Sequence, residues 1–208
     1  EQAVAILGYM GKYAKGAASD LGKIFDWFKN DKMFDSIALA ALVSLARIEP
    51  KSALPLAWNE LKKSKGIQAM KLIDILGVIG QVVLNSKDSA KIMEKLLSYA
   101  RSDDEDLRAA AVWAVSKIDK GSEQLIDILA DRIENDGDEI DALNMVEAIF
   151  DMPQTKRDQP SPLIKKAIGA LINKAASPNR KEKLLLVRKM RAISDQEIKL
   201  IEENPFSD

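Results

Sequence analysis

The chain has 208 residues, with 31 basic and 32 acidic side chains and neither cysteine nor histidine. Without cysteine there are no disulfides, thiolate metal sites or cysteine nucleophiles, and without histidine the commonest general base, transition-metal ligand and pH switch are gone, so no cofactor or metal is expected. Apolar residues make up 47% of the chain but aromatics only 5%, so a core must be built from Leu, Ile, Val, Ala and Met, a palette that suits helices.

Gln2 to Ala14 carries Val4, Ile6, Leu7, Met10 and Tyr13 at helical spacing, weakened by Gly8 and Gly11, and reads as the second helix of a pair whose first is missing. Ser19 is placed to cap a helix through Lys29 with Leu21, Ile24, Phe25, Trp27 and Phe28. Phe34 to Ile48 is alanine-rich and stops before Pro50, and Leu54 to Lys65 follows up to a turn at Gly66. Ile67 to Leu84 is apolar on almost all sides, which predicts one helix sandwiched between neighbours and the most buried of the set. Its apolar run is broken by Gly77, Gly80 and Gln81 and is too short to cross a bilayer.

Ser86 or Asp88 is expected to open a helix through Arg101. Ser102 with Glu105 then reads as a capping box for a helix to Ile118, and Ser122 as the cap of Glu123 to Glu134 with Leu125, Ile126, Ile128, Leu129 and Ile133 inward. Asp138 to Met152 is a further helix, followed by a polar loop from Pro153 to Pro160. Ser161-Pro162 and Ser177-Pro178 start helices over 163–176 and 179–193, and Ser194 with Glu197 caps a last one to about Glu203. These segments pair into five helical hairpins with one extra helix at each end.

The segments are also related to one another. Leu107, Val112, Val115 and Ile118 align with Ile37, Leu42, Leu45 and Ile48, and with Ile67, Leu72, Ile75 and Val78, so the chain reads as a helical repeat array. The acidic turn Asp103-Asp104, Leu107-Arg108, Ala111, Ala114 and Val115 resembles the Asp…Val-Arg…Ala…Ala-Leu pattern of HEAT repeats. The positions equivalent to Arg108 in the other units hold Ala38, Gln68, Asp141 and Lys183, so the motif is carried by one unit and the spacing pattern by most of the chain. The resemblance implies an all-α fold, a right-handed α-α superhelix forming a single HEAT-like domain over 1–208, with the alanine-rich second helices on its concave side. The sequence opens on a helix with no methionine before it, which leaves room for the domain to be a portion of a longer chain.

Charge is unevenly spread. Residues 102–158 hold 6 basic and 16 acidic side chains, a net −10, while 51–101 and 159–208 are net +5 and +4. The acidic middle has two readings, steering of a basic partner segment or capping of helix starts. The basic helix of Arg180, Lys181, Lys183, Arg188, Lys189 and Arg191 is open to nucleic acid, but its charges do not form one stripe and a solvated face is favoured. Trp27, Trp58 and Trp113 sit in apolar registers that favour core packing over base stacking, and Gly77 and Gly80 fit close helix packing better than a phosphate loop.

Enzymes with HEAT-like folds include metal-dependent hydroxylases that use His-Glu pairs, which this chain cannot build, and the run Asp103 to Asp106 points in several directions with no second motif to complete a site. The expectation is a non-catalytic, cytoplasmic protein-interaction scaffold that takes a protein or peptide segment along its concave surface, with nucleic-acid binding by the basic ends as the alternative and no membrane partner. Candidate partner-binding residues are Asp104, Arg108, Asp138, Asp141, Lys156, Arg157, Arg188 and Arg191. Abundant Lys, Glu and Ile without Cys is compatible with a thermophilic source.

Overall fold

The structure is a computed structural model that describes residues 2–31, 35–120 and 122–135. Among the described residues all regular structure is helical: α1 (Gln2–Met10), a 3-10 segment (Gly11–Ala17), α2 (Ala18–Phe28), α3 (Asp35–Ile48), α4 (Pro50–Leu61), α5 (Gly66–Val78), α6 (Gly80–Leu84), α7 (Ser89–Ala100), α8 (Glu105–Ile118) and α9 (Glu123–Asn135). The chain divides into two compact units, Glu1–Ile118 and Asp119–Asp208. The helices expected over 138–152, 163–176, 179–193 and beyond lie outside the described residues.

In the first unit α2 packs on α3, α4 on α5 and α7 on α8, giving three hairpins in succession. The second helices form a row, α1 against α3, α3 against α5 and α5 against α8. The first helices form the other layer, in which α2 touches α4 and α6 lies between α4 and α7. First helices bury a single stripe at i, i+4 spacing, Leu21 and Phe25 in α2, Ala53, Ala57 and Leu61 in α4, and Ile92, Leu96 and Ala100 in α7. Second helices have neighbours on three sides and bury half or more of their length in α3 and α8.

The buried positions fix the repeat register. Ala38, Ala41, Leu42, Ser44, Leu45, Ala46 and Ile48 are buried in α3, and the residues 70 further on, from Arg108 to Ile118, are all buried in α8. For α5 the matching offset is 31, which maps the same seven positions onto Ala69, Leu72, Ile73, Ile75, Leu76, Gly77 and Ile79, all buried. Leu42 therefore corresponds to Ile73 and not to Leu72, a correction of one residue to the alignment expected from sequence. Ile67 and Val78, which that alignment placed in the core, are 66% and 58% exposed. A segment apolar on nearly every side has no phase in its periodicity, so only its neighbours decide which residues face inward.

Several local expectations change for the same kind of reason. The helix expected over 67–84 breaks at Ile79, whose backbone leaves helical geometry, and α6 continues beyond it. Nine of the eighteen residues from Ile67 to Leu84 are buried, the same share as in α3, and α8 exceeds both with eight of fourteen. α4 begins at Pro50 and not at Leu54, because proline at the first helical position has a preset φ and its missing N–H would have no helical partner there. Gln2–Ala14 is not one helix. Gly11 takes φ +54°, a left-handed conformation that suits glycine, and a 3-10 turn leads into α2, whose start at Ala18 puts Ser19 inside the helix. Trp27 is 69% exposed, Trp58 half-buried and Trp113 37% exposed, so none is a core residue.

The helix starts around α8 and α9 rest on side chains. The Leu107 N–H donates to Asp104 Oδ1 at 3.1 Å, and the Asp104 N–H donates to Ser102 Oγ at 3.1 Å. Asp104 is the cap, and Ser102 orders the turn ahead of it in place of the expected capping box. Ser122 does cap α9, its Oγ accepting from the Leu125 N–H at 3.4 Å and its carbonyl from the Ile126 N–H at 3.1 Å. Neither Ser86 nor Asp88 caps α7 through its side chain, and Ser86 Oγ is buried without a hydrogen-bond partner.

Candidate functional site

The repeat register defines a surface as well as a core. Between the buried positions, each second helix presents residues at two recurring places. One holds Tyr9 in α1, Arg47 in α3, Val78 in α5 and Lys117 in α8, and all four are exposed. The other holds Ala5, Val43, Asp74 and Trp113, half-buried in α1 and α3 and exposed in α5 and α8. Because the helices lie side by side, these places form two lines running across the row. The Arg47 guanidinium sits 5.2 Å from the centre of the Tyr9 ring, a cation–π contact that joins α3 to α1 along the first line. Ile67 and Asp106, two turns before Asp74 and Trp113 in α5 and α8, are exposed on the same side.

Close packing beneath this face determines how its side chains sit. A Cβ on Gly77 would overlap the Trp113 ring and come within 3.0 Å of the Ala114 Cα. The indole of Trp113 lies across α5 because that position has no side chain, which leaves one edge of the ring exposed. Gly80 is as restricted, since a Cβ there would lie 2.7 Å from the Lys117 carbonyl oxygen and 3.2 Å from the Ile118 Cα. The sequence expectation that these two glycines serve helix packing is met. At the α1 end of the row, Ser44 of α3 donates from Oγ to the Val4 carbonyl at 2.8 Å, a buried bond beside Gly8.

Of the residues expected to bind a partner, Asp104 caps α8, as described above. Arg108 is 4% exposed, and its Nη1 donates to the carbonyls of Ser102 at 3.1 Å and Asp103 at 3.4 Å, which ties the acidic turn to the helix that follows it. Asp138, Asp141, Lys156, Arg157, Arg188 and Arg191 lie outside the described residues. The open-face residues Tyr9, Val78 and Trp113 escaped sequence reasoning because each sits in an apolar register, and exposure is what distinguishes them from core. Correct phasing of α5 would have found Val78.

Although Asp74 reaches solvent, partial burial of its carboxyl raises its pKa above the ordinary value of 3.8. No group of three or more Asp or Glu among the described residues is arranged to hold a metal ion. A hollow between α2, α3, α4 and α5 is lined by Phe25, Ala38, Leu39 and Leu72 together with Lys29, Asp35, Glu60, Ser64, Gln68 and Lys71. It brings lysines and carboxylates near one another, but the Ser64 hydroxyl donates to the Glu60 carbonyl at 3.0 Å and Lys29 is paired with Asp26 at 2.6 Å. No helix among the described residues is long and apolar enough to cross a membrane.

The class defined by this geometry is an array of stacked helical hairpins with an open face on its second-helix row. Residues 69–149, from within α5 through α9 and beyond, match the sequence model of a family described as HEAT repeats. Comparison with curated proteins and with solved structures gives no match.

Proposed function

We propose that the chain is a non-catalytic scaffold of HEAT-like hairpins, a right-handed superhelix of about five pairs with a flanking helix at each end, that holds a protein or peptide segment along the open face of its second-helix row. The observation that carries the reading is the exposure of Tyr9, Val78, Trp113 and Ile67, at 80%, 58%, 37% and 66%, on one side of a close-packed row. Tyr9, Trp113 and Arg47 are of the residue types in which binding energy concentrates, Val78 and Ile67 add apolar area beside them, and the fixed backbone below orders few groups on binding. The match of residues 69–149 to HEAT repeats supports the same reading. Asp138 and Asp141 would add steering of basic segments, and Lys156 and Arg157 an accessory contact from their loop.

A photo-crosslinking residue placed at Val78 is the direct test. In extract of the native cell it should yield a discrete adduct that the same residue at exposed Ser19 does not, and Trp113→Ala should reduce the yield several-fold. Equal adducts at 78 and 19 would refute the proposal. So would binding to single- or double-stranded nucleic acid that falls steeply with salt and is lost with Arg188→Ala and Arg191→Ala.

A further inference from the structure

Asp74 and Trp113 stand together on the open face. They hold the same register place in α5 and α8, which lie side by side in the row, and both are exposed. The Trp113 ring reaches back over α5 to the place that a Cβ on Gly77 would fill. Asp74 comes three residues before Gly77, and positions at that spacing are neighbours on a helix surface, about 5–6 Å apart at Cβ. The carboxyl of Asp74 therefore lies beside the indole. Among the described residues it has neither an ion pair nor a hydrogen bond. Lys71, one turn earlier on α5, lines the hollow toward α3, and the Arg47 guanidinium rests on the Tyr9 ring of α1 at 5.2 Å. The Asp74 carboxyl is nonetheless partly withdrawn from water, and this desolvation is what raises its pKa.

We infer, taking the open face as the binding surface proposed above, that Asp74 and Trp113 together receive a lysine or arginine side chain of the bound segment, the carboxylate pairing with the cation and the indole stacking on it. The chemistry of the pair selects that occupant. A carboxylate that has lost part of its hydration and has no counter-charge gains more from an arriving cation than a fully solvated one does. A tryptophan ring attracts a cation held over its face within about 6 Å, more strongly than the other aromatic rings do. An apolar side chain laid on Trp113 would cover Asp74 and leave its charge buried and unpaired, and an acidic one would set like charges side by side. The stability that the desolvated carboxylate costs the free chain is thus offset when a basic side chain binds.

Selection of random short peptides displayed on phage against the 208-residue chain, followed by fluorescence anisotropy with the synthetic peptides, tests the inference. Peptides whose binding is lost with Val78→Asp occupy the open face. These should share a lysine or arginine, and replacing it by norleucine or citrulline should weaken binding to the wild type about tenfold but hardly change binding to Asp74→Asn, as for any coupled pair. Trp113→Leu, which keeps apolar area but removes the ring, should weaken the basic peptide more than its norleucine or citrulline counterpart. Open-face peptides without a shared basic residue, or a basic residue whose replacement costs the same on wild type and on Asp74→Asn, would overturn the inference and leave the open face a binding surface. Acidic peptides held through Arg47 and Lys71 would overturn it in the same way. If no selected peptide responds to Val78→Asp, the open-face reading fails and the inference fails with it.

Discussion

Substituting Gly80 by alanine separates close packing from backbone propensity. The three atoms nearest a Cβ at Gly80 are all backbone atoms of α8, the Lys117 carbonyl oxygen at 2.7 Å, its carbon at 3.1 Å and the Ile118 Cα at 3.2 Å. No rotamer change relieves such an overlap, so α6 must move away from α8, and overpacking of this kind costs about 1–3 kcal/mol. Gly80 is also the first residue of α6, where alanine recovers little helix propensity. Gly22 in α2 is the control, since nothing lies within 4 Å of a Cβ built there. Gly22→Ala should stabilise by about 0.5–1 kcal/mol through reduced chain entropy. Trp27, Trp58 and Trp113, the three tryptophans of the chain, all fall within Glu1–Ile118, so fluorescence during urea denaturation reports on that unit alone. The two substitutions should shift the midpoint in opposite directions. A Gly80→Ala chain as stable as the wild type would refute the reasoning, because it would mean that the α6–α8 contact is loose.

Arg108→Met keeps the length of the side chain but removes a charged donor from the Ser102 and Asp103 carbonyls. A loss of about 1.5–3 kcal/mol is expected in the same denaturation assay. Ser44→Ala removes the buried bond to the Val4 carbonyl and should cost about 0.5–1.5 kcal/mol, with amide exchange accelerated in α1 before the rest of the unit. Asp74 predicts a pH dependence. Burial raises its folded pKa above the unfolded value of 3.8, so the folded state binds more protons and stability falls as pH rises from 3.8 through the raised value. Asp74→Asn should flatten that part of the stability–pH curve and leave the chain more stable than wild type at neutral pH, and a curve of unchanged slope would contradict the burial argument.

Helix periodicity, the succession of hairpins in the first unit and the cap at Ser122 were legible in the sequence, because each depends on residues within one or two turns of one another. The packing role of Gly77 and Gly80 was legible too, since a glycine pair inside an apolar helix has few other uses. Arg108 stood out as unusual among its equivalents, but its burial was hidden, because arginine is ordinarily a surface residue and the carbonyls ahead of α8 that it reaches are placed by the tertiary structure.

The composition and local periodicity of this chain determined that it is helical and built of hairpins, since both depend on short-range sterics and on apolar residues recurring every three or four positions. Tertiary structure decided the phase of α5, the break at Ile79 and the exposure of Tyr9, Val78 and Trp113. The reason is physical: a helix apolar around most of its circumference can bury any side equally well, and which side is buried is set by the neighbours that come to lie against it.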